Sequence, residues 1–382
     1  MSEVPNNNKV SGSPFRGRGG RIIIAGGGTG GHIFPAIAIA NALKKKDSTI
    51  EILFVGAKGK MEMEKVPQAG YRIEGLDITG FNRSSLIKNI GLPFKIIKSF
   101  FQARKIMKDF QPDMVIGVGG YASFPMLRLA QQKKTPTLIQ EQNSFAGKTN
   151  MLLGKRAEKI CVAYGGMEKF FPKEKIVITG NPVRATISQS TISRAEGLKF
   201  FGLEENKKTV LVIGGSLGAR SINEAIDKHL TDLLNDGLQL IWQTGKPYAS
   251  KAKERTTGMK AVWANEFIAQ MEYGYAAADF VISRAGAIAI AELCVMKKPV
   301  LFVPFPFAAE DHQTVNAMSL VKKNAAIMVK DNEAIEKIVP MIIELANDET
   351  KQNELRNNIS QFAIINADDK IADEIILILK SL

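Results

Sequence analysis

Arg21-Ile22-Ile23-Ile24-Ala25, followed at once by Gly26-Gly27-Gly28-Thr29-Gly30-Gly31-His32, decides the fold. The isoleucine run reads as a short strand buried on both faces. Gly26, Gly28 and Gly31 then satisfy G-x-G-x-x-G, and a helix is expected from about residue 33 to 46. Pro35 near its start and Lys44, Lys45 and Lys46 at its end suit the polarity of a helix. Strand, glycine turn and helix form the opening unit of a parallel α/β domain. Main-chain N–H groups at a helix N-terminus, uncovered by Cβ atoms, approach an anion closely, so the loop points to a phosphate. The motif alone is weak, because tight packing demands glycine in the same way.

Working outward, residues 51–55, 114–118, 137–140 and 160–163 read as further strands of a first sheet. A short strand near 176–182 runs into Gly180, Asn181 and Pro182, a linker. The pattern then restarts with a strand at 209–213, a glycine turn at 214–218 and a helix at 219–234. Strands are expected again at 238–243, 261–264, 280–283 and 299–303. This predicts an α/β fold of two Rossmann-like domains, with parallel sheets facing a central cleft. Ligands of such folds lie beyond the carboxyl ends of the strands. The expected divisions are a disordered polar tail over 1–20, a first domain over 21–182 and a second over 183–359. The apolar segment 360–382 is expected to be a helix packed back on the first domain.

Composition narrows the class. The chain has 382 residues, 45% hydrophobic and 23% charged, which excludes a disordered polymer, a collagen and a polytopic membrane protein. Lys plus Arg number 51 against 38 Asp plus Glu, a net charge of +13 that marks an anionic partner. Cys161 and Cys294 both sit in apolar segments and read as buried thiols of a reducing compartment. Arg16, Arg18 and Arg21 ahead of an uncharged stretch imitate a signal peptide or a spanning helix. Five glycines between 26 and 31 interrupt that stretch, short of the roughly 18 to 20 apolar residues a span needs. The chain is read as cytosolic or peripheral to a membrane.

The second glycine turn, Gly214-Gly215-Ser216-Leu217-Gly218, repeats the anion logic, with Ser216 able to donate to phosphate or to cap the helix. A third glycine pair, Gly119-Gly120, stands before Tyr121. A dinucleotide site wants an acidic residue after the second strand; here Lys58 stands there, which disfavours NAD and leaves NADP open. No Asp-x-Asp follows a strand and the three histidines are widely spaced, so no metal and no cofactor is expected. Between 81 and 108, Arg83, Lys88, Lys95, Lys98, Arg104, Lys105 and Lys108 interleave with Phe81, Phe94, Phe101 and other apolar residues, without Asp or Glu. The segment reads either as an interfacial helix on an anionic membrane or as a core-facing helix with a basic outer face. Nucleic acid is disfavoured, since no binding module accompanies the charge.

Gly26-Gly27-Gly28-Thr29-Gly30-Gly31-His32 with Pro35 resembles the opening loop of the MurG family. Those bacterial glycosyltransferases add N-acetylglucosamine to the lipid-linked muramyl-pentapeptide precursor of peptidoglycan. The likeness continues through Gly119-Gly120-Tyr121, Glu141-Gln142-Asn143, Gly180-Asn181-Pro182-Val183-Arg184 and Gly214-Gly215-Ser216. It extends to Arg284-Ala285-Gly286-Ala287 with Glu292, and to Asp311-His312-Gln313 with Asn316-Ala317. The resemblance implies the two-domain GT-B fold, with UDP-N-acetylglucosamine held mainly by the second domain.

The resemblance also implies residue roles. Glu292, next to the donor-binding run Ala287, Ile288, Ala289, Ile290 and Ala291, would accept both ribose hydroxyls. A carboxylate in so apolar a segment needs a partner in any case. The backbone at Ile268 would read uracil, and Arg184 and Ser216 would hold the diphosphate. Asn143, Gln313 and Thr29-Gly30-Gly31 would contact the donor sugar, and Gly119, Gly120 and Tyr121 would form an acceptor loop. His32 precedes a helix whose positive end disfavours imidazolium, so a neutral ring is available as general base toward the acceptor's 4-hydroxyl; the alternative is an orienting residue. His312 would line the donor pocket, and His229 reads as a surface helix residue. The implied location is the cytoplasmic face of the bacterial inner membrane, peripherally bound. A UDP-sugar epimerase of the same fold and an NADP oxidoreductase are the competing enzymes, and a membrane-surface scaffold the non-enzymatic reading.

Overall fold

The structure is a computed structural model that describes residues 20–80, 91–215 and 217–382. Thirteen strands among them form two sheets. The first is built from β1 (Arg21–Ala25), β2 (Glu51–Ala57), β3 (Arg72–Leu76), β4 (Met114–Gly117), β5 (Thr137–Glu141), β6 (Lys159–Val162) and β7 (Ile176–Ile178). Its order is β3-β2-β1-β4-β5-β6-β7. The second comprises β8 (Thr209–Ile213), β9 (Gln239–Gln243), β10 (Val262–Asn265), β11 (Phe280–Ser283), β12 (Val300–Phe302) and β13 (Ile327–Met328). Its order, β10-β9-β8-β11-β12-β13, follows the same plan, and all its pairings are parallel. In each sheet the first strand of the unit is central, and the order reverses beside it, at β1/β4 and at β8/β11. That reversal is where ligands of open α/β sheets bind.

The pleat explains why the strands read as continuous apolar runs. Val210 and Val212 pack in one cluster with Trp242, Phe280 and Ile282, while Leu211 and Ile213 pack in the other with Val281, Tyr275 and Ile290. Both faces are covered, so the strand interiors are apolar and polar residues fall mainly at strand ends, as Thr209, Gln239, Gln243 and Ser283 do. Two strands escaped the sequence reading. β3 alternates exposed and half-buried residues at the edge of its sheet, and β13 is two residues long.

The described chain divides into two compact units, one of residues 20–140, 152–160 and 369–382, the other of 141–151 and 161–368. In the first, helix Ala367–Lys380 is fixed by ion pairs from Lys46 to Asp369 and Asp373. Helix α1 spans Gly30–Lys46, beginning earlier than expected because Thr29 supplies the first acceptor carbonyl; Pro35 therefore lies inside the helix. The single helix expected over 219–234 is two, Arg220–Lys228 and Leu230–Asn235, broken at His229. The expected tail falls, apart from Gly20, outside the described residues.

Candidate active site

The first glycine loop is anchored on three sides by its own unit. Gly26 N–H donates to Val55 O at 3.0 Å, and Gly27 N–H to Gly119 O at 3.2 Å. Gly28 N–H donates to Glu62 Oε2 at 2.9 Å, and the other Glu62 oxygen accepts Ala57 N–H at 3.0 Å. Glu62 opens helix α2 (Glu62–Gln68) and is buried. The N–H groups of Gly26, Gly27 and Gly28 are thus taken up within the unit, two by main-chain carbonyls and one by the Glu62 carboxylate. Glycine is required at 27, where φ is 139° and a Cβ would collide with the Glu62 carboxylate. Gly120, with φ of 87°, lies so close that its Cβ would strike the Gly27 backbone. Tyr121 beyond it is exposed, its ring against Gly80.

His32 sits in the first turn of α1, half-buried, with Nδ1 3.0 Å from Gly27 O and 3.2 Å from Thr29 Oγ1. A carbonyl only accepts, so Nδ1 is the donor in this contact, and in the neutral ring the lone pair is then on Nε2. Lys58, the residue that kept an NADP site open, is paired with Asp77 at 3.2 Å. Hydrogen bonds from Lys98 and Lys58 hold the Asp77 carboxyl down at about 2.

The second glycine loop is held differently. Buried Gln243, at the end of β9, donates from Nε2 to Gly215 O at 3.0 Å and accepts Ile268 N–H on Oε1 at 3.1 Å. One side chain thus ties the phosphate-type loop to the residue expected to read uracil. Ser216 lies outside the described residues. Gln243 was not singled out in the sequence, where it looks like a strand terminus.

Glu292 is no solvated helix charge. It is 5% exposed on the helix Ala287–Val295, which carries the apolar run 287–291. Arg184 grips it with Nε at 2.9 Å and Nη2 at 3.2 Å, and Tyr275 Oη donates to it at 2.9 Å. Burial and the Glu292 carboxylate push the Tyr275 phenol well above its usual range, so it remains a donor. Arg184 and Glu292, expected to face different parts of the donor, are brought together as a bidentate pair.

Asn143 and Asn316 meet at 3.2 Å, and Asn316 Oδ1 also accepts Ser144 N–H at 3.0 Å. Glu141 organises this loop: it accepts from Asn143, Gly147 and Asn150, while burial pushes its carboxyl up. Gln313 accepts Phe305 N–H at 2.9 Å in the turn before the helix His312–Val321, which His312 opens. His229 caps the break between two helices and pairs with Asp232 at 2.8 Å.

Helix α3 (Leu92–Phe110) buries Ser99, Ala103 and Met107, one residue per turn. It leaves Phe94 at 76%, Ile97 at 56% and Phe101 at 70% exposed, a second stripe at helical spacing on its outer side. Lys95, Lys98, Arg104, Lys105 and Lys108 are exposed around them. Phe81, Arg83 and Lys88 lie outside the described residues. Among the described residues no helix is long and apolar enough to cross a membrane, and no group of three His, Cys, Asp or Glu is arranged to hold a metal ion.

Comparison with known proteins places this geometry. Residues 22–162 match the glycosyltransferase family 28 N-terminal domain and residues 209–374 the family 28 C-terminal domain. A protein of Parabacteroides distasonis is 52% identical over 361 residues, covering 94% of this chain and 98% of its own. It is named UDP-N-acetylglucosamine–N-acetylmuramyl-(pentapeptide) pyrophosphoryl-undecaprenol N-acetylglucosamine transferase. One of Phocaeicola vulgatus with the same name is 51% identical over 358 residues, 93% of this chain and 95% of its own. The crystal structure of Acinetobacter baumannii MurG superposes with a TM-score of 0.76 at 28% identity, covering 94% of this chain and 99% of that one. With two α/β units, each built on a parallel sheet of the same order, the chain belongs to glycosyltransferase family 28 and within it to the MurG proteins of GT-B architecture.

Proposed function

We propose that this chain transfers N-acetylglucosamine from UDP-N-acetylglucosamine to the 4-hydroxyl of a lipid-linked N-acetylmuramyl-pentapeptide, with inversion at the anomeric carbon. The substrates follow from the named relatives; the chemistry is carried by one observation, the Nδ1 contact of His32 with Gly27 O, which leaves Nε2 as the basic nitrogen. His32 Nε2 takes the proton as the acceptor oxygen bonds to the anomeric carbon. The bond to UDP breaks, the diphosphate leaves with its electron pair, and an α-linked donor gives a β-linkage.

In this reading residues 21–182 with the C-terminal helix serve acceptor and membrane, and 183–359 hold the donor. Glu292 accepts the ribose hydroxyls, the Ile268 backbone reads uracil, and Arg184, Ser216 and the loop amides hold the diphosphate. Three hydrogen bonds already fill most of the Glu292 lone pairs, so a diol that grips both oxygens displaces the Arg184 fork and frees it for phosphate. Asn143, Gln313 and Thr29-Gly30-Gly31 border the sugar, and Gly119-Gly120-Tyr121 face the acceptor. The outer stripe of α3 enters the anionic cytoplasmic leaflet of the inner membrane, its lysines at headgroup level.

Purified protein, labelled UDP-N-acetylglucosamine and the lipid-linked muramyl acceptor in anionic vesicles test this directly. The expected result is one UDP released per sugar transferred to the lipid. Turnover of the donor without acceptor would instead identify an epimerase.

A further inference from the structure

One peptide group in the first loop is engaged at both ends. The N–H of the Gly27–Gly28 peptide donates to Glu62 Oε2 at 2.9 Å, and its C=O receives His32 Nδ1 at 3.0 Å. We infer that Glu62 is a positioning residue that acts on His32 through this peptide, a carboxylate–peptide–imidazole relay. The inference rests on His32 being the base.

Three features of the loop support it. Both Glu62 oxygens are used, on Gly28 and Ala57, as an acceptor-only carboxylate uses them. Gly27 and Gly56 leave the room the carboxylate occupies, since a Cβ on either would collide with Glu62. The preceding amide, Gly27 N–H, is pinned to Gly119 O, and turning the Gly27–Gly28 peptide over would break both of its own bonds, to Glu62 and to His32. Hydrogen bonds in series polarise one another by about 10–30% each. A carboxylate on the N–H therefore makes the Gly27 carbonyl a stronger acceptor, which fixes the Nδ1–H tautomer and raises the basicity of Nε2. The nearby charges, Lys58, Lys98 and Asp77, are paired with one another.

Glu62→Gln keeps the side chain's size but offers an NH₂ donor where one of two N–H groups points. The expected loss in kcat is about 10- to 100-fold, with UDP affinity by calorimetry unchanged. Combined with His32→Ala, Glu62→Gln should change kcat by no more than about 2-fold beyond His32→Ala alone; independent, additive losses overturn the relay. Nitrogen-15 spectra of histidine-labelled wild-type protein should show neutral His32 as the Nδ1–H tautomer, and Glu62→Gln should shift that population. An Nε2–H ring in the wild type overturns the proposal whether or not any variant folds. A crippled His32→Ala beside a normal Glu62→Gln removes the relay alone, whereas full turnover in His32→Ala removes the base assignment and the relay with it.

Discussion

The two glycine loops share a plan, strand then glycine turn then helix, and differ in what holds them. The loop after β1 gives its N–H groups to acceptors of its own unit, Glu62 among them. The loop after β8 is held at a carbonyl, Gly215 O, by the Gln243 amide. In the proposed reading, the first loop, whose Gly26–Gly28 N–H groups are already engaged, carries the base rather than the phosphate. A loop held by a carbonyl keeps donors for an anion. Similar strand–glycine–helix units are thus held by different groups, and the holding residues, Glu62 and Gln243, lie outside both glycine turns.

Substitutions can break this division of labour. His32→Ala should lower kcat about 10²- to 10⁴-fold while UDP binding, measured by calorimetry, stays unchanged; a parallel loss of UDP affinity would mean that His32 holds the nucleotide rather than acting as the base. Glu292→Ala should do the reverse. Two charge-assisted hydrogen bonds to ribose are lost, so UDP affinity falls about 100-fold or more, and the melting temperature drops because Arg184 loses its partner. Lys95→Glu with Lys98→Glu should weaken sedimentation with anionic vesicles about 30-fold or more, at ~1 kcal/mol for each lysine, and the difference should fade at high salt. Unchanged vesicle binding would leave α3 as a core-facing helix with an idle outer stripe.

The smallest effect concerns the second unit's stability. Burial pushes the Lys298 ammonium down to about 8, while its amine donates to Ala278 O. An unfolded lysine titrates near 10.4, so between those values the unfolded chain binds more protons and stability rises with pH. Lys298→Met should therefore stabilise the protein by about 1–2 kcal/mol below pH 8, a gain that fades toward pH 10.4. Urea midpoints at neutral and alkaline pH measure it, and a gain independent of pH would remove the titration as its cause.

Much of the architecture was legible because parallel strands covered on both faces are written as largely β-branched runs, as in Ile22–Ile24 and 209–213. Edge strand β3 was not, because Arg72 and Glu74 interrupt its apolar residues. Of the site, Glu292 was legible as a carboxylate in an apolar helix that needed a partner. Its partners, Arg184 and Tyr275, lie 108 and 17 residues away and only the fold introduces them.

The sequence by itself determined two strand–glycine–helix units, because backbone sterics and hydrophobic period act over a few neighbouring residues. It also set the excess of positive charge and the position of a histidine at a helix start. Only tertiary structure decided which groups each loop spends on its own chain. Hydrogen bonds such as Glu62 to Gly28 depend on the register of β2 beside β1, and register is a property of packed strands rather than of any local stretch.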